Sequence, residues 1–368
     1  MIDILRILLF NWRCWLNPDM GGAEVFTREV LARWAETGHD VTLFTSEFPN
    51  CRKEETLDGV KVVRSGERLS VYREAKKFYS DRFRAEGFDV VVDEINTRPF
   101  FAPKFVDNGE TVVALIHQLA REYWFYETPF PISHIGYYYL EKKWLKGYVD
   151  VPTVTVSEST CQDLMGLGFK RVFVAPEGLN FEPLTAYPVK LAVPIVVYAG
   201  RLKRAKRPGH AVRAFKIVKA KVPEAELWVL GDGPLRKGLE KMAGEGVKFF
   251  DGLSNDERRG LIGKCAVLVN PSVREGWGLN VIEAAALGVP CVAYDVAGLR
   301  DSVKDEVTGL LVESGDVEAL AEALVRVLRD EGLRRRLGEN ALKYAKQFSW
   351  DKTAQEFMKI LEQVTNED

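Results

Sequence analysis

With 368 residues the chain is longer than one ordinary domain and is sized for two, each able to bury its own core. Hydrophobic residues make up 46%, as in folded globular proteins and unlike disordered ones. Lys and Arg total 51 against 53 Asp and Glu, a balance that excludes the uniformly basic surface of a general nucleic-acid binder, so any anion site must be local.

The opening run, Met1 to Phe10, is apolar but carries Asp3 and Arg6 and lacks a small-residue cleavage site, so it reads as a first buried strand and not as a secretion signal. Further strands are predicted at Val41–Thr45, Val60–Val63, Val90–Val92, Val112–Ile116, Val154–Val156 and Val172–Val174. A stretch punctuated by Pro183, Pro188 and Pro194 has no periodicity and reads as a linker over 184–194, closing an N-terminal domain of residues 1–183. A second series follows over 195–348, with strands at Ile195–Ala199, Leu227–Leu230, Val247–Phe250, Val267–Val269, Cys291–Ala293 and Gly309–Val312. A last helix is expected around Trp350–Val364, within residues 349–368. Short apolar runs alternating with helical patterns predict an α/β fold: two doubly wound parallel-sheet domains, Rossmann-like in layering. Ligands of such sheets bind outside the strand carboxyl ends, which makes the cleft between the domains the expected site.

No run of about 18 uncharged apolar residues occurs, so no spanning helix is expected. Five cysteines (14, 51, 161, 265 and 291) form no CxxC pair and read as reduced thiols of a cytoplasmic protein. Four scattered histidines make a His/Cys metal site improbable, and no metal is expected. A dinucleotide dehydrogenase would show G-x-G-x-x-G after a strand, yet Gly231-Asp232-Gly233 leads to Arg236 where a third glycine belongs.

The most specific stretch runs from Arg274 to Pro290. A strand ends near Asn270, Gly276 and Gly278 permit close approach of a ligand to backbone, and a helix begins near Asn280 with its N–H groups outward, an anion cradle that also takes in Trp277 and Leu279. Glu275 and Glu283 are placed to flank one polyhydroxyl ligand. Asn280-x-x-Glu283 equally fits a capping box, in which Glu283 only satisfies backbone donors. Here the chain resembles the retaining glycosyltransferases of family 4, which have the GT-B fold; the matching pattern is E-x7-E, Glu275 and Glu283. The resemblance implies that Glu275 contacts the transferred sugar and that Glu283 holds the nucleotide ribose.

Tyr198-Ala199-Gly200-Arg201-Leu202, followed by Lys206, resembles the same family's G-R-x4-K segment, whose Arg and Lys clasp the donor diphosphate. Read from the residues alone, Arg201 and Lys206 follow a strand carboxyl end, where charge-assisted hydrogen bonds would offset charge developing on a departing diphosphate. Nine Lys or Arg and no acid lie between 201 and 221, and Lys216, Lys219 and Lys221 fit a solvated helix face. Asn17 to Glu24, with Gly21-Gly22, reads as a flexible turn and resembles the family's glycine-rich first loop, which reaches donor phosphate and acceptor. His117 ends a strand; a lone His there is usually structural, while the family has one near the donor sugar. Ser157-Glu158 reads as a helix N-cap. Pro176-Glu177-Gly178 departs from the Asn-Gly of many relatives. Gly231-Asp232-Gly233 and Asp251-Gly252-Leu253 read as turns; the resemblance implies that Gly233, Gly252 and Leu253 line the nucleotide pocket.

Gln118–Val149 holds ten aromatic residues among Lys142, Lys143 and Lys146. About half are expected in the core, and the rest fit an acceptor site with Arg121, Tyr123 and Trp124, a dimer contact, or an anionic membrane surface. The resemblance implies transfer of a sugar from a nucleotide sugar (UDP-, GDP- or ADP-sugar) to an acceptor hydroxyl, a free sugar or a lipid-linked one, with anomeric retention and without metal or other cofactor. It further implies an N-terminal acceptor domain, a C-terminal donor domain and a last helix crossing back onto the first. Location in the cytoplasm is the expectation, with peripheral contact at the inner membrane face left open. Two alternatives remain: a non-catalytic sugar-nucleotide-binding protein of this fold, and an epimerase of the nucleotide sugar, which would turn over without acceptor.

Overall fold

The computed structural model describes residues 4–107 and 109–367. Two compact units form, the first from the chain up to Arg121, His134–Gly178 and the stretch from Ser349 onward, the second from Glu122–Ser133 and Leu179–Phe348. The 122–133 segment, expected in the N-terminal domain, therefore belongs to the second unit.

The first unit holds strands β1 (Arg6–Phe10), β2 (Asp40–Thr45), β3 (Glu54–Leu57), β4 (Val60–Arg64), β5 (Val90–Glu94), β6 (Thr111–Ile116), β7 (Thr153–Thr155) and β8 (Val172–Val174) in the order β3-β4-β2-β1-β5-β6-β7-β8. All neighbours pair in parallel except β3 with β4. The central strands are near-continuous apolar runs because helices cover both faces; Ile7–Phe10 and Val90–Val92 are all buried. The edge strand β3 was not expected, since Glu54-Glu55-Thr56-Leu57 has no apolar run. Its two acids instead pair with Arg82 and Arg64, and a charged edge resists further pairing.

Helix Gly22–Glu36 buries Phe26, Val30, Leu31 and Trp34, one stripe of a 3.6-residue repeat. Helix Trp350–Glu367 packs against it: the Trp34 indole donates to the Ala354 carbonyl at 2.9 Å, and Phe357 meets Trp34 edge-on at 5.1 Å. At Gly178 a Cβ would lie 2.3 Å from the Trp350 nitrogen, so only glycine lets the chain pass there.

The second unit holds β9 (Ile195–Ala199), β10 (Glu226–Leu230), β11 (Val247–Phe250), β12 (Val267–Asn270), β13 (Cys291–Tyr294) and β14 (Gly309–Val312) in the order β11-β10-β9-β12-β13-β14, all parallel. Every residue of β9 is buried. The stretch 184–194 has no regular structure but is tied to this unit: the Lys190 ammonium donates to the Gly263 and Leu287 carbonyls at 3.0 and 3.1 Å, at the carboxyl ends of two helices.

Of the ten aromatic residues in 118–149, only Trp124 and Tyr148 are buried, fewer than expected. The helical stretch 132–148 is one-sided: Gly136, Glu141, Leu145 and Tyr148 face inward, while Ile135, Tyr138, Tyr139, Lys142, Lys143 and Lys146 form an exposed stripe at spacings of three and four. No described helix is long and apolar enough to cross a membrane.

Candidate active site

In the second unit β9 ends at Ala199 and the chain turns through Gly200 and Arg201 into a 3-10 turn at Arg204–Lys206. Lys206 Nζ lies 2.5 Å from Glu275 Oε2, and Ser272 Oγ donates to Glu275 Oε1 at 2.7 Å. Both charges are mostly enclosed. Burial alone would lower the Lys206 pKa, but the Glu275 carboxylate outweighs it and holds the ammonium above the ordinary lysine value. Arg201 is exposed, and its guanidinium has no hydrogen bond or ion pair among the described residues.

Glu275 stands in the loop between β12 and helix Leu279–Ala286. Gly278 caps that helix at φ +100°, a conformation reserved for glycine, and no side chain caps the first turn. A Cβ on Gly298 would sit 2.2 Å from the Glu275 carbonyl oxygen, so the neighbouring loop also needs glycine to hold Glu275 in place. Asn280 lies inside the helix and donates to the Ala199 carbonyl at 2.7 Å, tying the helix start to the end of β9. The capping-box reading therefore fails: Glu283 Oε2 instead accepts from Arg258 Nη2 at 2.5 Å. Gly276 and Leu279 are partly exposed in the same turn. Trp277 is buried against Phe348, and its indole N–H has no partner among the described residues.

Gly233 packs on the Leu202 backbone, where a Cβ would meet the carbonyl oxygen at 2.8 Å. Gly252 is exposed at φ +62° with open space beside it, and Leu253 is half-buried. Helix Tyr123–Glu127 lies in this unit too. The Tyr123 hydroxyl donates to the Arg274 carbonyl at 3.2 Å and its oxygen acts on Lys206, while Glu122 pairs with Arg274 at 3.2 Å and Tyr126 with Arg207 at 2.6 Å. Tyr123, expected at an acceptor site, thus stands beside the Lys206–Glu275 pair, and Trp124 is buried.

In the first unit His117 follows β6 and is buried. Its Nε2 is 3.2 Å from Glu94 Oε1 and its Nδ1 is 3.8 Å from Glu177 Oε1. Burial would lower its pKa, but Glu177 and Glu94 raise it to about 9, an imidazolium between two buried carboxylates. That arrangement suits a fixed donor of charge better than a proton acceptor. Gly21 has extended backbone open to any residue, and its N–H donates to Glu24 Oε2 at 2.5 Å. Glu24 also receives Arg13 Nε and Nη2, each at 3.1 Å, and Gly22 begins the helix exposed. Arg121 has φ +39°, its N–H held by the buried Glu141 carboxylate at 3.0 Å. Among the described residues no three His, Cys, Asp or Glu are placed to hold a metal ion.

Ser272, Arg258, Gly298, Glu94 and Glu177 were not singled out as site residues from sequence. Ser272 sits three residues before Glu275, a spacing that allows a local hydrogen bond; nothing in the sequence joins Arg258 to Glu283 or Glu94 to His117.

Residues 20–182 match the family model Glycosyltransferase Family 4, and residues 186–344 match Glycosyl transferases group 1. The D-inositol 3-phosphate glycosyltransferase of Salinispora tropica is 32% identical over 45% of this chain and 37% of its own length, and that of Salinispora arenicola 31% identical over 45% and 40%. The chain thus spans less than half the length of these curated relatives. A sucrose-phosphate synthase from Thermosynechococcus elongatus superposes with a TM-score of 0.79 over 99% of this chain and 100% of that one, at 22% identity. Anabaena HepE, in complex with UDP and glucose, superposes with a TM-score of 0.70 over 98% and 100%, at 15% identity. At such identities the likeness shows the fold alone, the GT-B architecture of two parallel-sheet α/β domains.

Proposed function

Because the chain belongs to glycosyltransferase family 4, with the GT-B fold, we propose that it moves a sugar from a nucleotide sugar to an acceptor hydroxyl with retention at the anomeric carbon. The observation that carries this reading is the Lys206–Glu275 pair at the carboxyl ends of β9 and β12, with Arg201, unpartnered among the described residues, in the same turn after β9. The donor diphosphate would lie against Arg201, Lys206 and the uncapped helix start at Leu279, which supply positive charge as the glycosidic bond breaks. Glu275 would hold the transferred sugar, Glu283 the ribose, and the backbone near Gly233, Gly252 and Leu253 the base. Trp277, being buried, would support the turn from behind.

Retention needs the acceptor oxygen to arrive on the face the leaving group departs from, and the leaving phosphate itself can take the acceptor proton. His117, fixed by Glu94, would serve as a positioning residue in the first unit. With cations supplied by Arg201 and Lys206, turnover is expected to survive EDTA. The exposed Tyr and Lys stripe over 135–146 would meet an anionic membrane surface. Thermal shift of the full chain against UDP, GDP, ADP and their sugars tests the donor reading, since a ligand at 100 times Kd adds about 2.7 kcal/mol. No shift with any of them, or equal shifts in wild type and Arg201→Gln, would count against it.

A further inference from the structure

In the first unit three arginines follow the carboxyl ends of three parallel strands: Arg13 after β1, Arg68 after β4 and Arg98 after β5. Each guanidinium lies over an aromatic ring. Arg13 Cζ is 4.0 Å from the Trp12 ring centre, Arg68 Cζ is 5.4 Å from the same ring, and Arg98 Cζ is 4.5 Å from that of Tyr72. Tyr72 is itself packed on Phe100 at 4.7 Å. All three arginines act electrostatically on the Tyr72 hydroxyl.

The three differ in what neutralises them. Arg13 is engaged by Glu24. Arg68 and Arg98 are exposed, and among the described residues neither makes a side-chain hydrogen bond or an ion pair. The buried carboxylate of Asp93 is also spoken for, by the Tyr148 hydroxyl at 2.5 Å and the N–H groups of Phe100 and Ala102. A guanidinium stacked on a ring keeps its edge donors free for an oxyanion, and two uncompensated charges match a phosphate dianion better than a carboxylate.

We propose that Arg68 and Arg98, with Arg13 behind them, bind a phosphate group carried by the acceptor. This rests on the reading of the chain as a sugar transferase and adds the chemical class of its acceptor: a phosphorylated polyol or sugar, or a lipid with a phosphate headgroup. The strand carboxyl edge is where open α/β sheets take ligands, and the aromatic backing holds long side chains that would otherwise be costly to order.

The test uses the full chain and its Arg68→Gln/Arg98→Gln and Arg201→Gln variants. Calorimetry with D-inositol 3-phosphate, unphosphorylated inositol and inorganic phosphate is paired with co-sedimentation on phosphatidylglycerol and phosphatidylcholine vesicles. Binding of D-inositol 3-phosphate but not inositol, weakened at least tenfold in the double variant and less than twofold in Arg201→Gln, places the phosphate on a soluble acceptor. In a Lys142→Gln/Lys143→Gln/Lys146→Gln background, phosphatidylglycerol binding that the double variant loses, with no soluble phosphate bound, places it on a lipid. If no probe binds, or the double variant binds as wild type does, the proposal is overturned. The nucleoside diphosphate Kd separates this failure from failure of the donor reading, because the double variant should leave it unchanged.

Discussion

Lys206 Nζ stands 2.5 Å from Glu275 Oε2, so the two charges offset each other inside the second unit, while the Arg201 guanidinium in the same turn has no hydrogen bond or ion pair among the described residues. Removing Glu275 therefore frees a positive charge and, on the proposed reading, also deletes a contact to the transferred sugar. Glu275→Gln should lower kcat by roughly 100-fold, the loss typical of removing one group that stabilises transition-state charge, and should tighten nucleoside diphosphate binding. Full kcat in this variant would take Glu275 out of the chemistry. A weakened diphosphate would show that Glu275 holds Lys206 in place for the phosphates.

Glu283 is bound to Arg258 at 2.5 Å and caps nothing. If it also holds the ribose, Glu283→Gln should weaken nucleoside diphosphate and intact donor alike, by about 1–3 kcal/mol for a charged hydrogen bond. Arg258→Gln should then cost less, because it only orients Glu283. Were the pair purely structural, both variants would lower the melting temperature equally and leave the diphosphate Kd where it was. Calorimetry and melting curves on both decide between these.

Much of the fold was legible because buried parallel strands are short apolar runs bounded by glycines and helical patterns, as Ile195–Ala199 and Val112–Ile116 are. The one strand missed, Glu54–Leu57, lies at an edge and is held by charges that carry no periodicity. The turn at 276–279 could be read from glycine spacing before a helix. What could not be read is which charges meet: Arg258 and Glu283 lie on different helices, and the Glu94–His117 pair joins adjacent strand ends, so spacing along the chain says nothing of either. The aromatic segment misled for a related reason. Ring content alone does not separate a core stripe from the exposed one at Ile135, Tyr138 and Tyr139, which only the register of the helix reveals.

That exposed stripe carries Lys142, Lys143 and Lys146. Attraction of lysines to an anionic surface fades as salt shortens the screening length. The full chain should co-sediment with phosphatidylglycerol vesicles at low salt and less at high salt, and replacing the three lysines with Gln should reduce binding at least tenfold, at about 1 kcal/mol per Lys near such a surface. Equal binding by the triple variant would show that the stripe faces something else.

His117 gives a pH signature that other histidines do not. Its folded pKa of about 9 lies above the ordinary value of about 6.5, because the Glu177 and Glu94 carboxylates overcome burial. Below about pH 6.5 the imidazole is protonated whether the chain is folded or not, and its contribution is fully present. As pH rises the unfolded chain loses that proton while the folded one keeps it, so the contribution declines and is gone above about pH 9. The whole span is on the order of 3 kcal/mol. His210 is held down to about 4, by burial first and then by Arg213 and Arg207, and so acts at lower pH. Lys190, lowered to about 8 by burial, acts at higher pH. Between pH 6 and 8, then, the wild type should lose stability in denaturant melts, with a slope that His117→Gln flattens. That variant should also be less stable at pH 6, since it leaves Glu94 and Glu177 buried without their cation. An identical slope in wild type and His117→Gln would mean that the imidazole is not held as a cation between these carboxylates.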